Sequence, residues 1–374
     1  MLDKGQDPDD INADFLAFRQ TLQSHVHALV GELSKLDKMN DKAVAATCAQ
    51  IDQFARDYST FITRFTATRA AHENQAASHE DVVNIRREWG AISGRINMFR
   101  NEVNLWTLMK PLVQTQVAAR RKRIPLYEKT RSSTSLMQHA ASDDVFNWVH
   151  RVLNQEAQTE DAIESGCFPD IALPNSEFHQ HLHAAYRVLL AQGGEPPVRF
   201  LDVGCGGGLK VLSALRYFQD AHGLDYQQSY VDQAQAMLAA SGVPNAKAFQ
   251  ADALTFDGYE AYDVIYFYRP VQDHEKLIEM EQRIVAKARP GTILIAPYVG
   301  FGERYLDLGC GRIAGHVYLS QSSQSNADKW RRKAEKTGVA VVHDDEERVT
   351  NVWTPLLSKS RRCGYDVTRY PSPV

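Results

Sequence analysis

Four of the five residues from Gly204 to Gly208 are glycine, and they follow without a break on the apolar run VRFLDV. Such a run reads as a buried strand. The glycines read as a turn in which the backbone reverses sharply and approaches a ligand with no Cβ in the way. Leu209 to Phe218 then has helical character, which places the turn at a helix N-terminus, where free amides favour an anion or a dipole. Strand, glycine turn and helix in this order begin a parallel α/β sheet, and short apolar runs alternate with helical stretches from Val198 onward. The dinucleotide pattern G-x-G-x-x-G does not fit. From Gly204 it requires glycine where Leu209 stands, and from Gly206 where Val211 stands.

What does fit is Asp202-x-Gly204-x-Gly206-x-Gly208, which resembles motif I of the class I S-adenosylmethionine-dependent methyltransferases. Further pieces follow in that family's order. The second strand, AHGLD, ends in Asp225, a carboxylate able to accept both ribose hydroxyls, with Tyr226 beside it to pack on the adenine face. The third strand, AKAFQ, leads into Ala251-Asp252-Ala253, similar to the family's acidic turn that receives the adenine amino group. YDVIYF is the fourth strand, and ARPGTILIAPYV is similar to the proline-glycine turn and fifth strand. The resemblance covers about Val198–Val299 and implies the strand order 3-2-1-4-5-7-6. It also implies S-adenosyl-L-methionine as cofactor: Asp202, Gly204, Cys205 and Gly206 at the methionine moiety, and Phe267, at the tip of strand four, beside the sulfonium. Carboxylates, glycine amides and aromatics suit a ligand with a positive sulfur and a zwitterionic tail.

The stretch after strand four, Tyr268-Arg269-Pro270-Val271-Gln272-Asp273-His274, lacks the Asn/Asp-Pro-Pro-Tyr/Phe motif of amino-methylating DNA and glutamine enzymes. Methyl transfer is an in-line displacement, so the protein chiefly aligns acceptor and sulfonium. An oxygen acceptor also needs its proton removed, usually by His or a carboxylate. His274 and Asp273 are the candidates for that role, with Tyr268 and Arg269 positioning the acceptor. The plainer reading of His274 is an exposed residue in the first turn of the next helix.

Two features imitate sites. His179, His181 and His183 fall in a predicted helix from Asn175 or Ser176 to about Leu190, but only His179 and His183 share a face, without carboxylate or cysteine company. That helix covers the cofactor in one reading. Tyr305-Leu306-Asp307-Leu308-Gly309-Cys310-Gly311 echoes motif I, yet too few residues follow it for a second sheet; it reads as a loop after strand five that borders the acceptor pocket. Beyond Val317, a helix is expected over Lys329–Lys336. VAVVHD and GYDVTRY are both strand-like candidates for the sixth strand, with an inserted hairpin between strand five and the tail as the other solution.

The first third has a different texture. Apolar residues recur at gaps of three and four along Phe15, Phe18, Leu22, Val26, Leu29, Leu33, Leu36, then Val44, Cys48, Ile51, Ala55, Tyr58, Ile62, Phe65, then Ile85, Trp89, Ile92, Ile96, Phe99, Val103, Trp106. Each seam lies on one helix face and must be covered, so three long helices in an antiparallel, coiled-coil-like bundle are expected, with a second subunit in a coiled-coil dimer covering the seams most simply, or a partner protein docked on them. Pro111 should kink or end the third helix near Lys110. The basic knot Arg120–Arg123, with Lys129 and Arg131, offers either an anion-binding patch or a solvated helix end. Arg131–Ser142 reads as a linker, with Ser142 an N-cap for a helix carrying Val145, Trp148, Val149 and Val152.

The expected organisation is therefore a helical region over 1–130, a linker with helices over 131–195, and a Rossmann-like methyltransferase domain over 196–374. A formal charge of −4 disfavours nucleic acid as the acceptor. No apolar run is long enough to span a bilayer. The start has no secretory pattern, and the five cysteines (Cys48, Cys167, Cys205, Cys310, Cys363) form no CxxC pair; both suit a reducing cytoplasm and no metal centre. The function expected is methyl transfer to a small molecule, with a hydroxylated metabolite or carbohydrate preferred. A non-catalytic coiled-coil scaffold with a methyltransferase-like domain is the alternative. A nicotinamide enzyme is disfavoured by the glycine spacing, and aminopropyl transfer by the lack of paired acceptor carboxylates.

Overall fold

The computed structural model describes residues 7–35, 39–127, 132–154, 158–168, 173–194, 197–342 and 350–367 of the 374. The chain divides into two compact units, Met1–Arg121 with Asp344–Val374, and Lys122–His343. Among the described residues no helix is long and apolar enough to cross a membrane.

The first unit opens with α1 (Pro8–Ser34), α2 (Asp41–Gln75) and α3 (His79–Asn104). Asp7, Asn40 and Ser78 cap their N-termini, each side chain accepting backbone amides that the helix leaves unpaired. The links are short, so each helix returns along its predecessor. Leu22, Val26, Leu29, Ile51, Ile96 and Phe99 are buried, and fully burying such a side chain stabilises by about 1.5–3 kcal/mol. Phe54 and Phe61 join the expected seam of α2, and the Tyr58 hydroxyl donates to the Ile96 carbonyl at 2.9 Å. Leu36, like Lys129 and Arg131, lies outside the described residues.

The proline effect falls elsewhere than expected. The third helix stops at Leu105, and α4 (Trp106–Arg121) carries Pro111 in its interior. The turn at Leu105 swings Trp106 and Lys110 toward Asp52, which accepts from the Trp106 indole at 2.8 Å and the Lys110 ammonium at 2.7 Å. Tertiary pairing, not the missing proline donor, sets the break.

In the second unit come α5 (Ser133–Leu153), α6 (Glu160–Glu164) and α7 (Asn175–Gln192). Ser132 caps α5, so Ser142 lies inside the helix and the expected linker is mostly helical. Then follow β1 (Arg199–Val203), α8 (Leu209–Ala214), β2 (Asp220–Asp225), α9 (Gln228–Ala240), β3 (Ala246–Gln250), β4 (Val264–Phe267), α10 (His274–Lys287), β5 (Ile293–Ile295), α11 (Val299–Arg304), β6 (Gly311–Ala314), β7 (Val317–Leu319) and α12 (Gln324–Ala334). The sheet order is β3-β2-β1-β4-β5-β7-β6. The first five strands pair parallel, β7 is antiparallel to β5, and β6 is antiparallel to β7. One face packs Phe200, Tyr266, Ile293 and Leu319 with α7, α8, α9 and α12; the other packs Leu201, Ile265, Phe267 and Leu294 with α10 and α11. Arg187 on α7, 1% exposed, donates to the carbonyls of Ile124, Pro125 and Ala334, which ties the chain just after α4 into this unit.

The sixth strand is neither VAVVHD nor GYDVTRY. The hairpin after strand five takes the sheet edge, and residues 339–342 run without strand pairing. His343, Asp344 and residues 368–370 of those segments lie outside the described residues. The tail supplies α13 (Thr354–Arg361) to the helical unit. Trp353 is fully buried there, stacked on Trp106 at 5.3 Å and donating to the Glu102 carbonyl at 2.7 Å, so the seams close with α13 inside the chain.

Candidate functional site

At the carboxyl ends of β1 to β4 the backbone is arranged around one carboxylate. Gly206 donates its amide to Asp225 Oδ2 at 2.9 Å, and Gln227 donates to Oδ1 at 3.0 Å. Gly204 and Cys205 both donate to the Leu224 carbonyl, at 2.8 and 3.0 Å, which seats the glycine loop on the tip of β2. Gly204 has φ 80°, and a Cβ there would lie 2.7 Å from Cβ of Pro270. Gly208, with φ 79°, would place one 2.7 Å from Cβ of Ala234 on α9. Both positions therefore require glycine, one for the ligand-side approach and one for helix packing. Asp252 closes its own turn, accepting from the Leu254 amide at 2.8 Å, and the Tyr259 hydroxyl holds the Ala253 carbonyl at 3.0 Å.

These tips form one wall of a cavity of roughly 300 Å³, with Gly204, Gly206, Asp225, Tyr226, Tyr230, Asp252, Ala253 and Leu254 on this side. The opposite wall comes from two segments far apart in sequence: Ser165, Cys167 and Phe168, and Tyr268 to Val271, with Lys276 from α10. A short backbone ladder joins them. Phe168 donates to the Pro270 carbonyl at 3.1 Å, Gln272 to the Gly166 carbonyl at 2.7 Å, and Cys167 bridges Val271 in antiparallel fashion. Side chains reinforce it: Gln158 and Gln272 donate to the Cys167 carbonyl at 2.7 and 3.2 Å, and Ser165 Oγ donates to the Tyr226 hydroxyl at 3.1 Å. Arg269 has φ 47°, a left-handed backbone that costs a non-glycine residue on the order of 1 kcal/mol. β4 before it and the ladder at 270–272 after it hold it there, with its guanidinium 5.2 Å from the Phe168 ring centroid. Burial pushes the Cys167 thiol up to about 11, with the charges of Asp225 and Asp252 adding to it, so it lines the cavity as a neutral thiol.

The structure gathers Gly204, Gly206, Asp225, Tyr226, Asp252, Ala253 and Tyr268 at this cavity. Asp202 (2% exposed) and Cys205 border a smaller adjoining recess of roughly 40 Å³, together with Lys210, His150 and Asn154, which shares Gly204 and Tyr268 with the first. Phe267 is elsewhere. Strand alternation turns Tyr266 to the face of α7 and Phe267 to the face of α10 and α11, where it is fully buried against Tyr298 and Phe301. Asp273 is the N-cap of α10, accepting from the amides of Glu275 and Lys276 at 2.9 and 3.0 Å, and those bonds hold its carboxyl below the usual range. His274 is exposed in the first turn. Neither lines the cavity.

Sequence reasoning missed Tyr230, Cys167, Phe168, Pro270 and Lys276; Pro270 alone had a signal, directly after Arg269. The helix α7 covers the sheet rather than the cavity. His181 Nδ1 lies 2.8 Å from the Tyr127 hydroxyl, and His183 Nε2 lies 3.0 Å from the Val339 carbonyl. Burial lowers His179 and His183 to about 4, which keeps both neutral. Among the described residues no group of three His, Cys, Asp or Glu is placed to hold a metal. The motif I echo at Leu306–Gly311 is the turn between α11 and β6 and does not line the cavity.

Residues 200–291 match a family described as "Methyltransferase domain". Several solved structures are similar to parts of the chain. An S-adenosylmethionine-bound amino pentose methyltransferase of Micromonospora echinaspora, involved in calicheamicin biosynthesis, is 21% identical over 38% of this chain and 57% of its own, with a TM-score of 0.28. The chain thus spans little more than half of that protein's length. An RNA methyltransferase of Salinibacter ruber with S-adenosylhomocysteine is 18% identical over 34% of this chain and 76% of its own, with a TM-score of 0.28. An N-methyltransferase of Bradyrhizobium japonicum is 14% identical over 39% and 96%, also with a TM-score of 0.28. No curated protein matches the sequence. The sheet order, the glycine loop seated on Asp225 and the matched stretch agree: the chain carries a methyltransferase domain of the class I, S-adenosylmethionine-dependent kind.

Proposed function

We propose that the chain transfers a methyl group from S-adenosylmethionine to a small hydroxylated metabolite bound in the cavity between the strand tips and the Ser165–Phe168 segment. The observation that carries the reading is the Asp225 carboxylate, held by the Gly206 and Gln227 amides and facing a cavity that Gly204 keeps free of a side chain. These residues fit an adenosyl group: Asp225 receives the ribose hydroxyls, Asp252 and Ala253 border the adenine, and Tyr226 packs on its face. Gly204 and the adjoining recess at Asp202 receive the methionine arm. The bound cofactor supplies the electrophilic methyl carbon.

The protein's part is alignment. Tyr268 and Arg269 orient the acceptor, and the ladder between 166–168 and 270–272 fixes their positions and excludes water from one side. With Asp273 engaged as a helix cap and His274 exposed, the acceptor is one whose hydroxyl ionises readily, its proton leaving to solvent past the exposed Arg269. The small cavity and the net charge of −4 support a small-molecule acceptor over a nucleic acid. Calorimetric titration with S-adenosylmethionine and with NAD⁺ tests the reading. Saturable binding of the former alone is expected. Binding of NAD⁺ alone, or of neither, overturns it and favours the scaffold alternative.

A further inference from the structure

The carboxylates of the cavity are engaged by backbone amides, whereas its cations meet no carboxylate partner among the described residues. Asp225 accepts two backbone amides and Asp252 one, and both are assigned to the cofactor. Arg269 and Lys276 line the same cavity, and among the described residues neither makes an ion pair. Lys276 gives its ammonium to the Ser165 carbonyl at 3.3 Å. Three other arginines of this unit are paired with carboxylates. Arg283 pairs with Asp257 at 2.9 Å, Arg289 with Asp263 at 2.6 Å, and Arg304 with the buried Glu281 at 2.6 Å.

Arg269 is also the residue whose backbone is held in a left-handed conformation between β4 and the ladder at 270–272, with its guanidinium over the Phe168 ring. A ring face takes up none of the guanidinium's donors in a hydrogen bond to an anion, and a guanidinium can form two parallel bonds to a carboxylate or phosphate. The contact with the ring restricts the side chain in advance, so less rotamer entropy is lost when a ligand arrives.

We propose that the methyl acceptor carries an anionic group, a carboxylate or a phosphate, received by Arg269 against the Phe168 ring with Lys276 adding charge from the side. This rests on the methyltransferase reading above and names the acceptor class of that same site. The anion fixes one end of the acceptor in the wall and leaves its hydroxyl to face the sulfonium.

The test uses the full chain saturated with S-adenosylhomocysteine and titrated calorimetrically with two matched pairs: 4-hydroxybenzoate against its methyl ester, and 4-hydroxyphenyl phosphate against 4-methoxyphenol. At least one anion is expected to bind about tenfold or more tightly than its neutral partner. The pair that discriminates tells carboxylate from phosphate. Arg269→Gln should abolish that preference while S-adenosylhomocysteine affinity stays within about twofold. Arg269→Gly, which relaxes the left-handed backbone, should give the same loss and so separate charge from folding. No preference in either pair, a preference that survives Arg269→Gln, or an equal loss of S-adenosylhomocysteine affinity overturns the proposal. The last result would assign Arg269 to the cofactor. Failure of the wild type to bind S-adenosylhomocysteine is a separate outcome that removes the methyltransferase reading, and this proposal with it.

Discussion

The two walls of the cavity are built on opposite principles. The strand-tip wall is made by backbone: glycine amides, a carboxylate that accepts them, and turns closed within a few residues of each strand. The facing wall is made by side chains, Phe168, Tyr268 and Arg269 at a ladder between segments about a hundred residues apart and Lys276 on α10. Backbone geometry suits a constant ligand, because the main chain is the same whatever the side chains. A wall of side chains on a loop suits a ligand that differs from one enzyme to another.

That contrast fails most visibly if the walls do not act separately. Gly204 is where they touch, because a Cβ there meets Pro270 and the backbone is left-handed. Gly204→Ala should weaken S-adenosylmethionine binding about a hundredfold, roughly 2.7 kcal/mol, by calorimetry. Near-normal affinity would mean that Pro270 yields and the approach is not tight. Asp225→Ala should cost about tenfold or more, at least about 1.4 kcal/mol, since it removes the ribose acceptor and frees two amides. Phe168→Ala should leave cofactor affinity within about threefold and lower kcat/KM for methyl transfer about tenfold. A loss of cofactor binding instead would merge the walls into one. His274→Gln should change neither quantity by more than about twofold, because the ring is exposed beyond both walls. A collapse of turnover with an intact melting temperature would restore it as a base.

What could be read in advance follows the same division. Asp202, the glycines, Asp225 and Asp252 are legible because each stands directly after an apolar run, where strand period and turn chemistry agree. The facing wall has no such mark. Cys167 and Phe168 lie in a stretch without periodicity, and their position depends on two or three hydrogen bonds to residues 270–272. Phe267 was misplaced through a different physics: its neighbour Tyr266 shares the strand tip, and only the sense of alternation decides which ring faces which layer. The sheet edge shows how local preference yields to pairing. VAVVHD has the composition of a strand, yet the short runs at Gly311–Ala314 and Val317–Leu319 take the place beside β5, joined by a turn too tight to advertise itself. The helical seams were legible in outline, without Phe54 and Phe61, but the role of Trp353 in covering them was not, because the apolar run Val352–Leu357 around it is too short to show a seam of its own.

The return of α13 to the first unit also bears on the order in which the chain is made. Synthesis completes α1 to α4, then the whole sheet with its cavity, and only then delivers Trp353 to the ring of Trp106. All the residues of the methyltransferase unit are therefore made before the helical unit receives α13. A chain cut off near residue 343 and released should still form the cofactor cavity, with its helical bundle unfinished.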